Sequence, residues 1–394
     1  MSDLFRSLPS VAEKPPSHSR PGARVLLTPR HRSSTDPDPD ASSSDSSAST
    51  LDSIDTLRPS NENDKTINSM FPTIPWPDYF EQELHLPVDN PAQRALYHVY
   101  LTPPASPTKG PLFICHHGAG ASGMSFALFA KQIRQIMPEA GVLSLEARAH
   151  GSVVTSEHSN EDILDFSVET LTSDAMAMID AVQAKQGWKT LPPSIFVGHS
   201  LGGVVAVRVA AEGKLGAQLV GFQVLDVVEG SAMEALSFMK TYLASRPARF
   251  DSVDDAVDWH VRSRTLRNVE SARASVPGQL KAADGGGWTW KTDLTQTPRW
   301  WESWFKGMSE TFLRGRAAKA LVLAGTDRLD KELMVGQMQG KFQLTVIPEA
   351  GHFIQEDVPE KMAQLSVEFF KRNDRSAMVL PPKVSDLLAQ GKKV

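Results

Sequence analysis

The run Gly198-His199-Ser200-Leu201-Gly202-Gly203 lies between an apolar triplet, Ile195-Phe196-Val197, and a helical pattern from Val204 to Ala211. A strand that turns at once into a helix needs small residues on both sides of the turn, because larger side chains would clash across it. Gly198 and Gly202 meet that need, and Gly203 lets the helix pack close to the sheet. The constraint is architectural, since a strand, tight turn and helix imply strands alternating with helices. It is also chemical: the turn exposes the Ser200 hydroxyl at the carboxyl end of its strand, beside a helix N-terminus whose dipole favours developing negative charge. The five-residue motif recurs by chance in unrelated chains, so its weight comes from the strand before it and the helix after it.

The rest of the middle of the chain agrees. Phe80 to Leu86 and Ala95 to Leu101 read as two antiparallel strands joined by a turn at Asn90-Pro91. Leu112 to Cys115, Val142 to Leu145, Ile195 to Val197, Leu219 to Val228, Ala320 to Ala324 and Phe342 to Ile347 read as buried strands. Helical patterns such as Phe166 to Gln186 and Leu201 to Ala211 separate them. Continuous apolar strands alternating with helices give an α/β fold, a mostly parallel sheet covered on both faces. A helical, irregular stretch of about 231–313 interrupts the alternation and holds six of the eight tryptophans, namely Trp259, Trp288, Trp290, Trp300, Trp301 and Trp304. It reads as an insertion forming a lid over the sheet, with most of the rings filling the insertion's own small core.

The flanks are of a different kind. Residues 1–68 are rich in Ser, Pro, Asp and Arg, and Ser42 to Ser49 contains only Ser, Asp and Ala. Such a segment cannot bury enough apolar area to offset its ordering entropy, so a disordered arm is expected there, with a loose tail over 376–394 and one domain over 69–375. The net charge of −5 leaves no footprint for nucleic acid. Arg20, Arg24, Arg30 and Arg32 read as a solvated part of the arm. Cys115 is the only cysteine, no apolar run reaches the roughly 18 residues of a membrane span, and the N-terminus does not read as a signal peptide. The expectation is a soluble intracellular protein, cytoplasmic, with the nucleus also open, and no membrane partner.

The chemistry-bearing residues fall in chain order. His117-Gly118-Ala119-Gly120 follows the strand ending at Cys115, where a loop of small residues can supply a backbone N–H to an oxyanion. The expected donors are the N–H groups of Ala119 and of Leu201, the residue after the nucleophile. The pair His116-His117 has no further ligand at zinc spacing, so no metal and no cofactor are expected. His352, after the last strand in Gly351-His352, is placed to be the general base, whereas His150, His199 and His260 are worse placed. The acid has two candidates. Asp327 follows the fifth buried strand and is slightly favoured by spacing, and Asp226 follows the fourth. Either gives the order Ser, Asp, His of an α/β-hydrolase fold with a helical insertion.

Longer strings carry a resemblance. Val224 to Met233 (V-L-D-V-V-E-G-S-A-M), Arg267 to Arg273 (R-N-V-E-S-A-R), Ala324 to Asp330 (A-G-T-D-R-L-D) and Gly336 to Gln343 (G-Q-M-Q-G-K-F-Q) resemble the protein phosphatase methylesterases, over roughly residues 70–373. So do Gly198 to Gly203 and Gly351-His352 followed by Glu356-Asp357. The resemblance implies hydrolysis of the methyl ester on the C-terminal leucine of the protein phosphatase 2A catalytic subunit, and docking on that subunit. It also implies that the acid is Asp226, in place of the Asp327 favoured by spacing. Two departures stand out. Ala119 replaces the middle of three glycines in the oxyanion loop, and Glu146 replaces an Asp, for which no catalytic consequence is expected. Two other readings remain: a small-molecule carboxylesterase or lipase, and a non-catalytic binding protein on a hydrolase scaffold.

Overall fold

The computed structural model of the chain describes residues 71–325 and 329–375. The arm and tail expected over 1–68 and 376–394, and Asp327, lie outside the described residues.

The chain opens with an antiparallel hairpin, β1 (Gln82–Asp89) and β2 (Gln93–Thr102), closed at Asn90, whose side chain accepts from the N–H groups of Ala92 and Gln93. Then follow β3 (Leu112–His116), α1 (Ala127–Ile136), β4 (Gly141–Leu145), β5 (Val153–Ser156), α2 (Val168–Lys185), β6 (Ser194–His199), α3 (Leu201–Glu212) and β7 (Leu219–Leu225). The insertion comes next, with α4 (Glu229–Ser245), α5 (Val253–Arg262), α6 (Val269–Ser275), a short ribbon of β8 (Leu280–Ala282) and β9 (Trp288–Trp290), α7 (Pro298–Phe305) and α8 (Met308–Arg314). The fold closes with β10 (Ala318–Leu323), α9 (Lys331–Met338), β11 (Gln343–Val346), α10 (Ile354–Asp357) and α11 (Pro359–Asn373).

The main sheet runs β1-β2-β4-β3-β6-β7-β10-β11, with β5 also on β2. From β4 to β11 the strands are parallel; β2 is antiparallel to β1, β4 and β5. Every residue of β3, β4 and β6 is buried, as expected for strands covered on both faces. One face packs on α2, α3 and α8 through residues such as Val205, Val209, Phe222 and Phe312; the other packs on α1 and α11 through Phe113, Phe129, Phe369 and Phe370.

Local sequence explains the helix boundaries near the site. α3 is rich in valine, which favours strands in isolation, and it is helical because it is buried against β6 and β7. It ends at Gly213, in the left-handed conformation (φ 68°) common just past a helix end. α5 starts at a capping box in which Ser252 and Asp255 each satisfy the other's N–H.

Three sequence expectations change. The strand read as Leu219 to Val228 stops at Leu225, because Asp226 takes φ 51° and leaves the strand direction. The insertion is not wholly helical, since β8 and β9 pair within it. Its tryptophans divide: Trp259, Trp288 and Trp290 pack on the insertion's own small core, whereas Trp300, Trp301 and Trp304 pack on the main core. Among the described residues no helix is long and apolar enough to cross a membrane.

Candidate active site

Ser200 sits between β6 and α3 at φ 51°, ψ −118°, a conformation that costs an ordinary residue of order 1–3 kcal/mol. The surroundings hold it there. Ser200 N–H donates to Leu225 O at 2.9 Å, tying the turn to β7. A Cβ at Gly198 would lie 2.1 Å from Gly202 O, and one at Gly202 would lie 2.1 Å from His116 O, so only glycine fits either position. The strained turn lifts the Ser200 side chain above the sheet.

Asp226 leaves the end of the neighbouring strand, also at positive φ, and is 1% exposed. A carboxylate so buried needs partners, and stripping it of them would cost about 3–5 kcal/mol. Its Oδ1 accepts from Ala324 N–H at 2.8 Å, at the end of β10. Its Oδ2 lies 2.7 Å from Nδ1 of His352, on the loop after β11. That contact puts the imidazole proton on Nδ1 and leaves Nε2 as the basic nitrogen.

Two contacts hold the His352 backbone. His199 Nε2 donates to His352 O at 2.8 Å, and Gly351 N–H donates to Asp357 Oδ2 at 2.7 Å. Asp357 also accepts from Arg267 N–H at 2.7 Å, which fastens the insertion to this loop. Burial holds the His199 imidazole well below its ordinary range, so the ring is neutral and has a single proton to give.

Ser200, Leu201, Gly118, Ala119 and His352 all face one cavity of about 100 Å³. The insertion roofs it with Leu236, Met239, Trp301, Trp304 and Phe305, an apolar lining. The N–H groups of Leu201 and Ala119 have no hydrogen-bond acceptor among the described residues, which leaves both available to an oxyanion in the cavity.

The loop from Gly118 to Gly120 is braced from behind by residues on which sequence reasoning placed no such role. Gly120 N–H donates to His150 Nε2 at 2.9 Å, and His150 Nδ1 donates to Arg148 O at 2.9 Å. Burial pushes the His150 pKa down to about 4, which preserves the neutral ring that can accept and donate at once. His117 Nδ1 donates to Gly118 O at 2.8 Å and its Nε2 accepts from Ala147 N–H at 3.1 Å. Glu146 accepts from Gly123 N–H at 2.8 Å, and burial pushes its carboxyl up to about 7. The spacing of His150 in Leu145 to Gly151 carried no signal for this; the loop it supports is 30 residues away in sequence. His116 and His117 both hydrogen-bond to main chain. Among the described residues one group, Glu83, His85 and His98 on the β1–β2 hairpin, brings three possible metal-ligand atoms within 4.8 Å of one another. It does not line the cavity, and His98 Nε2 is bonded to Glu83 Oε1 at 2.9 Å.

Comparisons with known proteins bear on the family and the fold. Residues 113–365 match the model of the alpha/beta hydrolase family. A protein of Aspergillus oryzae called protein phosphatase methylesterase 1 is 54% identical over 324 residues, covering 80% of this chain and 75% of that protein. One of the same name from Neurospora crassa is 48% identical over 400 residues, covering 89% and 87%. Among solved structures, E-2-(acetamidomethylene)succinate hydrolase superposes with a TM-score of 0.53 at 16% identity, covering 74% of this chain and all of that one; the likeness there is of fold.

Proposed function

The chain belongs to the protein phosphatase methylesterases of the alpha/beta hydrolase family, and from that premise we propose that it is a serine carboxylesterase removing the methyl ester from the C-terminal leucine of the protein phosphatase 2A catalytic subunit. The observation that carries the proposal is the 2.7 Å contact between His352 Nδ1 and Asp226 Oδ2, beside a cavity that also receives Ser200.

The geometry supports the following roles. Asp226 keeps the proton on Nδ1 of His352 and stabilises the imidazolium when it forms. His352 Nε2 takes the proton of Ser200 as Oγ attacks the ester carbonyl carbon. The carbonyl oxygen becomes an oxyanion held by the N–H groups of Leu201 and Ala119; losing one such donor costs about 2.7–4 kcal/mol in comparable sites. The intermediate collapses with cleavage of the bond to the methoxy oxygen. Methanol leaves with the proton from His352, and the leucine carbonyl stays esterified to Ser200. Water then gives a proton to His352 and attacks; the second collapse returns that proton to Ser200 and frees the carboxylic acid, which loses its remaining proton to solvent as the carboxylate. The reaction uses protein groups and water throughout.

The cavity suits the acyl group. Burying a leucine side chain among Leu236, Met239, Trp301 and Phe305 contributes roughly 1.5–3 kcal/mol of binding. The test is methanol release from the methylated phosphatase subunit: the wild-type chain should release it, and Ser200→Ala should not. Comparable turnover of p-nitrophenyl esters without any docking on the phosphatase would instead mark a small-molecule carboxylesterase.

A further inference from the structure

Arg246 follows the last residue of α4, and its guanidinium carbon lies 3.5 Å from the centre of the Trp290 ring. Its main-chain N–H donates to Leu243 O, but the guanidinium makes no hydrogen bond and no ion pair with any described residue. Yet it faces the cavity that holds Ser200, and a Cβ placed on Gly120 of the oxyanion loop would lie 3.8 Å from its Nη1. It also borders a second cavity of about 350 Å³, shared with Trp290 and Leu294, so the cation stands where the two spaces meet.

Arg246 is half-buried, and a cation partly withdrawn from water gains from a counterion that offsets its desolvation. Here burial alone is enough to pull the guanidinium pKa below its ordinary value. Stacking on Trp290 offsets part of that cost. It also occupies the face of the guanidinium and leaves the edge, with its forked N–H donors, unspent. No Asp or Glu lines the cavity that holds Ser200; the second cavity is bordered by Asp293, whose carboxylate accepts from Thr295 and Gln296 and forms no ion pair with Arg246. The other neighbouring titratable groups are neutral. His260 donates from Nδ1 to Ala256 O and is pushed down to about 4, and burial raises the Tyr242 phenol.

We propose that Arg246 is a carboxylate-binding subsite, so that the ligand of this cavity is an acidic peptide and not a neutral acyl ester. The proposal rests on the methylesterase reading and adds to it the charge of the substrate. A carboxylate could reach Arg246 from two sources: an acidic side chain upstream of the ester, lying toward the second cavity, or the carboxylate that hydrolysis itself creates.

The experiment uses the full chain with Arg246→Met, which keeps an apolar stem against Trp290, and Arg246→Lys. Three ligands are compared: a peptide ending in leucine methyl ester with an Asp moved along the residues before it, the same peptide with Asn in place of Asp, and the free-acid product. p-Nitrophenyl acetate and fluorophosphonate labelling report on the triad alone. A buried charge-assisted contact of 1.5–3 kcal/mol corresponds to about 10–100-fold in KM or Ki. If the side chain is the source, Arg246→Met raises KM for the Asp peptide by that factor, leaves the Asn peptide near wild type, and Arg246→Lys recovers part of the loss. If the product is the source, the free-acid Ki rises and both esters keep their KM. p-Nitrophenyl acetate turnover and labelling stay within about 2-fold of wild type in either case. The proposal is overturned if all three peptides respond alike, or if p-nitrophenyl acetate falls with them. Should wild type hydrolyse p-nitrophenyl acetate but no peptide methyl ester, the methylesterase reading fails, and calorimetric binding of the free acid to wild type and Arg246→Met still decides the subsite.

Discussion

The imidazole of His199 donates from Nε2 to the main-chain oxygen of His352, 2.8 Å away, with the two ring centres 4.7 Å apart. The residue before the proposed nucleophile thus fixes the backbone of the proposed base, so the elbow and the loop after β11 are set relative to each other by one hydrogen bond. Replacing His199 by Phe keeps the ring volume and removes the donor. A net contribution of about 1 kcal/mol for such a bond implies a fall in kcat of roughly 5–10-fold with little change in KM. Steady-state kinetics on a peptide methyl ester measure it; an unchanged kcat would mean that the loop is held adequately by Asp357.

Asp226→Asn tests the tautomer argument. The amide retains an oxygen for Ala324 N–H but turns toward His352 a group that favours the wrong ring proton. The fold should persist and kcat should drop by about 10³–10⁴, with KM nearly unchanged. A loss below 10-fold, in a protein with a wild-type melting curve, would shift the role of acid to another residue.

The reach of sequence reasoning is visible at Asp226. β7 and β10 are neighbours, with Leu225 opposite Val322, so residues just beyond both strands emerge at the same end of the sheet. Spacing slightly favoured Asp327, which lies outside the described residues, whereas the longer string around Asp226 pointed to Asp226, and Asp226 is the carboxylate beside His352. The elbow was legible because Gly198 and Gly202 are demanded by sub-van-der-Waals approaches that any sequence with this turn must solve. β3, β4 and β6 were legible as unbroken apolar runs. The β8–β9 ribbon was not, because its Gly285-Gly286-Gly287 turn and short flanks carry little periodicity and its partner contact runs to Phe250. His150 and Arg246 were not legible either, because what they touch comes from distant segments.

His150→Gln places an amide oxygen where Nε2 now accepts from Gly120 N–H. The oxyanion loop should keep part of its support, with kcat down about 10-fold, whereas His150→Ala should cost roughly 100-fold by freeing the loop that carries Ala119. Equal activity of both variants and wild type would show that His117 alone braces the loop.

The same residue gives a pH signature. The folded pKa of His150 is depressed to about 4, against about 6.5 in an unfolded chain. Between those values the unfolded state binds the proton and the folded state does not, so this contribution to stability is full above pH 6.5 and is lost as pH falls toward 4. Relative to His150→Gln, which cannot titrate, the wild-type chain should lose up to about 3 kcal/mol over that window. Urea denaturation of both proteins at intervals from pH 7.5 to 4.5 measures the difference; a constant gap would contradict a buried neutral His150.

The most direct test of the whole account is the intact mass of the chain after reaction with a fluorophosphonate, followed by peptide mapping. A hydroxyl activated by His352 should take up one phosphonyl group per chain on Ser200, abolished in Ser200→Ala and slowed by orders of magnitude in His352→Ala. No adduct, or an adduct on a different residue, would contradict it.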